Sequence, residues 1–417
     1  MFINLINNSW ILLLLPIIVI LFIKLHKKLY FGIYAGAILL PLEDLTTLFT
    51  DFTLIKLVII ATFIIWCIQI FTHKRKLNFP SYFYLIILLC LLAGLSLFWS
   101  NNASSTVTSL LTFTQLTIWL VMITDLLDSR KKIVVATQLY ILSSIIVSIF
   151  AIVLINSGNL EFNRAAFIQG QNPNGFSRSV GLAFLVLIYS INSGHFIRNS
   201  FIKYFGTILI GLVIVLAQSR GTYIALLFAL IPLFIGVKFK HKRKNIVVFF
   251  ILSIFLFLNF QDIIVENVLV RIRDYESLGG RKVIWEVAYN MIKDNFWLGV
   301  GFGNFPDIFG VYSFQLRGWV ANSSSHNVYI SLLSELGIIG LTVFILFQSK
   351  ILKNIIRLPN NSNYSEKLLY ALFIYLIIGG MTNSIHFEKF YWFGFGIIIA
   401  MTRVLVPMDV QNEGDDH

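Results

Sequence analysis

Long apolar runs, broken by short polar turns, account for most of this chain. The runs do not alternate apolar and polar residues, as the strands of a membrane β-barrel do, and several reach the roughly 20 residues that a helix needs to cross a bilayer. The pattern therefore predicts an all-α protein, a polytopic bundle of about 13 transmembrane helices (roughly 12 to 14). The expected spans are 10–23, 29–49, 52–71, 80–99, 106–127, 133–156, 175–193, 201–219, 221–237, 245–261, 327–347, 368–385 and 390–406.

Two longer polar stretches, 157–174 and 262–326, interrupt this pattern. The 262–326 stretch predicts that the chain is divided into three parts. Residues 1–261 are expected to form a bundle of about ten spans, and 262–326 a loop that contains short helices. Residues 327–417 are expected to add about three spans and a short tail.

Charge is scarce and unevenly placed. Charged residues make up 12% of the chain and hydrophobic residues 57%, whereas soluble domains carry about 25% charged residues, so a soluble globular protein is excluded. The net charge of +12 would suit nucleic acid, but Lys and Arg cluster in alternate short loops, the positive-inside pattern of a protein in a lipid bilayer. We therefore expect no nucleic-acid partner, and we expect both long polar stretches on the outer side. The basic loops are 24–28, 74–76, 130–132, 198–203, 238–244 and 350–367.

His326 lies in a Ser/Asn-rich turn, 321–327 (ANSSSHN), where the long polar stretch meets the next apolar run. Histidine is the side chain whose ordinary pKa suits proton transfer near neutrality. Two interpretations are open: a catalytic base at the membrane surface, or a histidine that caps the start of the following helix. Glu335 falls on the other side of such a helix, so we expect it to be a partner between helices rather than to orient His326.

Three outer-side arginines are candidates for anion binding, because the planar guanidinium group can form two parallel hydrogen bonds to phosphate oxygens. Arg220 lies between two apolar runs, where a charge is costly unless it has a function or extends to the lipid headgroups. Gly221 beside it indicates that another group approaches the backbone. Arg281 begins a helical stripe of apolar residues, where a cation opposes the helix dipole unless it faces an anion or solvent. Arg164 lies in the 157–174 stretch.

Two motifs of the outer stretches have structural interpretations. Asn-Pro-Asn-Gly at 172–175 predicts a turn followed by a helix start, whose N–H groups could also present an anion site. Gly-Val-Gly-Phe-Gly at 299–303 follows no strand and opens no βαβ unit, so it does not indicate a nucleotide site. Glycines at this spacing permit tight turns and close approach of the backbone.

Three segments, in this order, resemble the O-antigen ligase and polymerase superfamily. They are Ala-Gln-Ser-Arg-Gly-Thr-Tyr-Ile-Ala at 217–225, the stretch 281–305 that ends in Gly-Val-Gly-Phe-Gly-Asn-Phe, and Ser-His-Asn-Val-Tyr at 325–329 followed by Ser-Glu-Leu-Gly-Ile-Ile-Gly at 334–340. The resemblance covers residues 211–345, and the segment 164–174 adds a weaker match upstream.

The resemblance implies an inverting, metal-independent glycosyltransferase that uses no cofactor. It implies a donor glycan on undecaprenyl diphosphate, presented at the outer face of the bacterial inner membrane. By the same resemblance, Arg220 and Arg281 bind the diphosphate and His326 is the catalytic base. The weaker upstream match adds Arg164 to the diphosphate-binding residues.

Three functions are compatible with these features. We favour a polymerase of O-antigen or capsule repeat units, for which a glycan is the acceptor and a chain-length regulator is a candidate partner. The second is an O-antigen ligase, which transfers the glycan to lipid A-core. The third is a flippase or transporter of lipid-linked glycan, although a transporter needs charges along its whole path, and here they concentrate on one face.

Overall fold

The computed structural model describes residues 28–49, 52–75, 80–156, 172–234, 281–317, 323–358 and 365–405. The predicted helical class is confirmed, since these residues are helical apart from loops and a short antiparallel ribbon of Thr47–Phe49 with Phe52–Thr53. The α-helices are α1 (Tyr30–Leu39), α2 (Leu54–Phe71), α3 (Ser81–Leu95), α4 (Ala103–Leu126), α5 (Arg130–Asn156), α6 (Pro173–Ser193), α7 (Ser200–Leu216), α8 (Arg220–Phe234), α9 (Arg281–Asp294), α10 (Phe305–Arg317), α11 (Val328–Ile356), α12 (Ser365–Thr382) and α13 (Lys389–Leu405).

Six of these helices are long and apolar enough to cross a membrane: α2, α3 with the 3-10 turn that extends it, α4, α5, α6 and α11. Helices α1, α7 and α8 are apolar but shorter. The predicted total of about 13 spans is not confirmed. Two predicted spans, 10–23 and 245–261, lie outside the described residues. The division of the chain into three parts stays a prediction.

Asparagine side chains cap the N-termini of several helices. At the start of α7, the side-chain oxygen of Asn199 accepts a hydrogen bond from the Ile202 amide at 3.3 Å. At the start of α6, Asn172 occupies the same position and Pro173 follows it. An asparagine cap satisfies an N–H that has no partner within the helix, and a proline in the first turn has no N–H to satisfy. The predicted transition from turn to helix at 172–175 is confirmed.

Small residues allow the helices of the core to pack closely. A Cβ atom added to Gly36 of α1 would lie 2.4 Å from the ring of Trp119 in α4, and one added to Gly396 of α13 would lie 2.7 Å from Ile123. Trp119 is fully buried. Close approach through glycine is a common way for membrane helices to pack, because dispersion contacts replace the hydrophobic effect there. The C-terminal half of α4 therefore lies in the interior of the bundle.

The connections between the helices gather at two ends of the bundle. The first, which we call the site end, contains 99–102, 217–219, 295–304, 323–327 and 383–388, and the opposite end contains 72–75, 127–129 and 194–199. At the site end, the side-chain oxygen of Asn304 accepts from the Asn102 amide at 2.8 Å. At the opposite end, the Arg75 guanidinium donates to the Asp125 carboxylate at 2.5 Å. Alternate connections thus lie at alternate ends, as in a bundle whose helices run up and down.

Helix α11 is interrupted at Gly337, whose φ of 64° and ψ of −169° are not helical. The interruption leaves carbonyl groups in the preceding turn without partners inside the helix. The Ser334 carbonyl instead accepts from the Val300 amide at 2.9 Å, and the Glu335 carbonyl accepts from the Gly301 amide at 3.0 Å. The loop between α9 and α10 therefore completes the hydrogen bonding of α11.

Glycine permits this contact on both sides. A Cβ atom on Gly299 would lie 2.3 Å from the carbonyl carbon of Glu335, and one on Gly337 would lie 2.2 Å from the carbonyl oxygen of Trp297. Both glycines also have a positive φ, which a larger residue adopts only at a cost. The predicted role of the 299–303 glycines, close approach of the backbone, is confirmed.

Candidate functional site

The turn before α11 holds His326 in a left-handed backbone conformation, with φ of 50°. Helix α11 is capped by the next residue, Asn327, whose side-chain oxygen accepts from the amides of Tyr329 at 2.9 Å and Ile330 at 3.2 Å. The interpretation of His326 as a helix cap is therefore wrong. Left-handed geometry is uncommon outside glycine, so the surrounding contacts must hold the histidine in place.

The His326 ring contacts the turn that follows α12. Its Nδ1 lies 3.1 Å from the side-chain oxygen of Asn383 and 3.4 Å from the hydroxyl of Ser324. An amide oxygen can only accept, so the contact with Asn383 is a hydrogen bond when Nδ1 carries the proton. The ring is half-buried.

Two guanidinium groups converge on Thr382, the residue before Asn383. Nη2 of Arg281 donates to the Thr382 carbonyl at 3.1 Å. Nη2 of Arg178 donates to the same oxygen at 3.3 Å and to the Thr382 hydroxyl at 3.3 Å. One turn of two residues therefore connects Arg281 and Arg178 to His326.

The neighbourhood of Arg220 also includes this turn. A Cβ atom on Gly221 would lie 2.6 Å from Nη2 of Arg178 and 2.7 Å from the Thr382 hydroxyl. The close approach predicted beside Arg220 is confirmed, and the approaching groups are an arginine and a threonine. Arg220 itself is exposed, whereas Arg178 is only 1% exposed. The deeply buried arginine of the site end is thus Arg178.

Arg220 and Arg281 are the first residues of α8 and α9. Positive helix termini and positive side chains coincide there, which favours a bound anion. Burial lowers the pKa of Arg281, and the charge of Arg220 lowers it further, so the two guanidinium groups are close enough to repel. Among the described residues, Arg281 has no carboxylate partner. An anionic ligand would relieve this repulsion.

Arg164, the third predicted diphosphate ligand, lies outside the described residues. Its place in the site stays a prediction.

Three serine hydroxyls hold the His326 turn against the turn after α12. The Ser325 hydroxyl lies 2.6 Å from that of Ser331 and 3.1 Å from that of Ser384. The indole N–H of Trp285, in α9, donates to the Ser325 carbonyl at 3.2 Å. Helices α9, α11 and α12 are thus fixed relative to His326.

Glu335 is buried beneath the loop that joins α9 to α10. Its carboxylate accepts from the Gly303 amide at 2.9 Å, and the Phe305 amide also contacts it. The predicted contact between helices is therefore made through a loop and the first residue of α10. Asn304, also fully buried, donates from its side chain to the Thr106 hydroxyl of α4 at 2.6 Å. The α9–α10 hairpin, residues 281–317, is therefore anchored on both α4 and α11.

Sequence reasoning missed Thr382, Asn383 and Arg178 as parts of the site. Thr382 and Asn383 form a polar interruption near the outer end of a predicted span, and Arg178 is an ionisable residue within another. Polar groups in such positions are costly in a membrane and often have a function. The same criterion that selected Arg220 could have selected them, but only the fold shows that they meet His326.

The helices and the site define a multi-pass membrane protein with a cationic site and a histidine at one end of its bundle. Residues 205–345 match the O-antigen ligase family. The predicted resemblance to the O-antigen ligase and polymerase superfamily is therefore confirmed, and the matched segment contains Arg220, Arg281 and His326. The match supports ligase-type or polymerase-type chemistry on a lipid-linked glycan in a membrane. A search of curated proteins finds no match to the chain.

Proposed function

We propose that the protein is an inverting, metal-independent glycosyltransferase that polymerises O-antigen or capsule repeat units carried on undecaprenyl diphosphate. The observation that carries the proposal is the Thr382–Asn383 turn. Its carbonyl accepts from Arg281 and its asparagine contacts Nδ1 of His326. A base and an anion-binding group that are held by the same turn can act together on one reaction. The base acts on the attacking hydroxyl, and the cation acts on the leaving diphosphate.

In the proposed reaction, the hydroxyl oxygen of an acceptor sugar attacks the anomeric carbon of the donor while Nε2 of His326 takes the hydroxyl proton. The new carbon–oxygen bond forms as the bond between the anomeric carbon and the diphosphate oxygen breaks. The electron pair of that bond leaves with undecaprenyl diphosphate. Attack from the side opposite the leaving group inverts the anomeric configuration. A general base of this kind contributes about 10²–10⁴-fold in rate.

Arg281 and Arg220 bind the departing diphosphate in this proposal, and Arg164 is a third candidate. This role is supported by the positions of Arg220 and Arg281 at the positive ends of α8 and α9. Cations fixed where negative charge develops lower the barrier without reorganising during the reaction. Such groups take the part that a divalent metal ion plays in other glycosyl and phosphoryl transfers.

The proposed location is the bacterial inner membrane, with the site on its outer face. Support comes from the two ends of the bundle. The basic segments predicted to be cytoplasmic include 74–76, 130–132 and 198–203, and the described parts of these lie at the end opposite His326. Lipid-linked glycan would reach the site end from the outer leaflet, where a chain-length regulator could also contact the protein.

The family match favours a second candidate, an O-antigen ligase that transfers the glycan to lipid A-core. Ligase and polymerase would use the same base and the same arginines. They differ in the acceptor, so the products of the reaction distinguish them.

The test is a transfer assay with the purified protein in lipid nanodiscs, undecaprenyl-diphosphate-linked glycan as donor, and either further donor or lipid A-core as acceptor. A ladder spaced by one repeat unit identifies a polymerase, and a single transfer to lipid A-core identifies a ligase. The His326→Ala variant should lose turnover by about 10²–10⁴-fold, because no other group takes the proton.

The matched control is His195→Ala, which removes an exposed histidine at the opposite end. We expect it to keep wild-type turnover. Wild-type turnover in His326→Ala, at unchanged thermal stability, would contradict the proposal. Movement of intact donor across vesicles without any transfer product would instead favour a transporter.

A further inference from the structure

We propose that Asn383 is a positioning residue that fixes the His326 ring in the tautomer with a free Nε2. This inference deepens the proposed function and rests on it. Asn383 belongs to neither the family match nor the segments that carry the resemblance, since it lies beyond residue 345.

A hydrogen bond joins the side chains of Asn383 and His326. Nδ1 of His326 is 3.1 Å from the Asn383 side-chain oxygen, a normal length for an N–H donor and an oxygen acceptor. A histidine that works through one nitrogen commonly has the other nitrogen held by a partner that sets its tautomer and its orientation. The contact of Nδ1 with the Ser324 hydroxyl is longer, at 3.4 Å, and a hydroxyl can donate as well as accept, so it does not select a tautomer.

The acceptor has a fixed position. In the peptide unit before the asparagine, the Asn383 amide donates to the Gly379 carbonyl at 3.2 Å and the Thr382 carbonyl accepts from Arg281 and Arg178. In the unit after it, the Asn383 carbonyl accepts from the Ile385 amide at 2.9 Å. The peptide units on either side of the asparagine are therefore held. An acceptor on a held backbone can impose an orientation on the imidazole.

The backbone around the histidine is also held. His326 has a φ of 50°, the Ser325 carbonyl accepts from Trp285 at 3.2 Å, and the Asn327 amide donates to the Ser325 hydroxyl at 3.2 Å. The backbone on both sides of His326 is fixed, and the remaining freedom is rotation of the ring. Asn383 removes that freedom by binding Nδ1.

The polarity of the contact follows from the charges around it. Arg281 from α9 and Arg178 from α6 both reach Thr382, and Arg220 is close to Arg281. Later in the same connection, His386 is buried, and the carboxylate of Glu388 lies near enough to Arg178 to attract its guanidinium group. A neutral amide selects a tautomer in this setting without adding a negative charge that would compete with the diphosphate for the arginines.

The test compares three proteins in the transfer assay: wild type, Asn383→Ala and Asn383→Asp. We expect Asn383→Ala to lower kcat by about 10- to 100-fold, the range found for outer partners of functional histidines, with KM unchanged. Asn383→Asp keeps the acceptor and should recover part of kcat, since its charge also competes with the diphosphate for the arginines. Its added negative charge should move the acid limb of the pH–rate profile to higher pH, because it stabilises the imidazolium.

The matched control is Asn199→Ala, which removes an asparagine side-chain hydrogen bond at the opposite end. It should leave kcat and the pH profile unchanged. Wild-type kcat in Asn383→Ala would overturn the proposal. An acid limb that stays at the wild-type pH in Asn383→Asp would also overturn it, because the carboxylate would then not contact the imidazole.

A second measurement separates this inference from the proposed function. Nitrogen NMR of labelled histidine, assigned by the His326→Gln variant, reports which ring nitrogen carries the proton in the resting protein. We expect the Nδ1–H form in wild type and a mixture in Asn383→Ala. If wild type shows Nδ1–H but no glycan is transferred, the proposed function fails while the positioning contact stands. If His326 carries its proton on Nε2 in wild type, the positioning role fails.

Discussion

Two arginines, Arg75 at the opposite end of the bundle and Arg281 at the site end, have different partners. At the opposite end, Arg75 donates to the carboxylate of Asp125 at 2.5 Å and to its carbonyl at 2.6 Å, and the Trp66 indole donates to the same carboxylate at 2.8 Å. At the site end, Arg281 donates to a neutral carbonyl. Charge that is balanced within the protein contributes to stability. In the part of the chain that the structure describes, Arg281 has no carboxylate partner, so its charge is available to bind an anion.

The largest effect is expected when Arg281 is replaced, because this directly tests the difference between the two ends. Arg281→Ala should lower glycan transfer by about 10²–10³-fold, the usual cost of losing one group that stabilises developing negative charge, with little change in thermal stability. Arg75→Ala should do the reverse. It should keep turnover and lose about 2 kcal/mol of stability, because charge-assisted hydrogen bonds to Asp125 are lost.

Turnover and thermal unfolding of both variants in the same nanodiscs check this prediction. Arg281→Lys adds a useful intermediate, since lysine keeps the charge and loses the planar fork. If Arg281→Ala and Arg75→Ala reduced stability equally and turnover not at all, the two ends would not differ in function.

The second prediction concerns the contact that builds the site end. Gly337→Ala should destabilise the protein by about 3 kcal/mol, because alanine is strained at a φ of 64° and its Cβ would collide with the Trp297 carbonyl. The α9–α10 hairpin should then detach, carrying Arg281 away from Thr382, and transfer should fall.

Thermal unfolding and the rate of protease cleavage within 281–317 measure this effect. Gly94→Ala is the control, since its nearest neighbour would be 3.7 Å from the added Cβ. Unchanged cleavage of the hairpin in Gly337→Ala would show that the loop does not depend on the kink.

Sequence reasoning found the helical class, the family resemblance and the role of the 299–303 glycines, because each depends on local pattern. It named His326 and Arg281 as candidate site residues, and in the fold both contact the Thr382–Asn383 turn. Asn383 was not found, since it lies 57 residues from His326 and no periodicity connects the two. Arg220 was selected as a candidate because it lies between two apolar runs, which is a local pattern. The burial of Arg178, in contrast, depends on how α6, α8 and α12 pack.

The third and smallest prediction compares two histidines. His386, at the site end, is buried, and neither of its ring nitrogens hydrogen bonds to a described residue, whereas His195 at the opposite end is exposed. Burial lowers the pKa of His386 from 6.5 to about 3. The unfolded chain therefore binds a proton below about pH 6.5 that the folded protein does not bind, so stability falls as the pH falls.

At pH 5 this difference corresponds to a loss of about 2 kcal/mol relative to neutral pH. His386→Phe should flatten the dependence of thermal stability on pH between pH 7 and pH 5, and His195→Phe should leave it as in wild type. An unchanged pH dependence in His386→Phe would mean that other groups cause the acid sensitivity.

The interruption at Gly337 also has a consequence for biogenesis. The amide of Ile338 donates to the Phe296 carbonyl at 2.9 Å, so α11 exchanges hydrogen bonds with the loop in both directions. In hydrocarbon, each unsatisfied backbone group would cost several kcal/mol. Residues 296–301 leave the ribosome before Gly337, so these partners already exist when the helix enters the bilayer. Insertion of this helix and placement of the hairpin that carries Arg281 are therefore coupled steps of assembly.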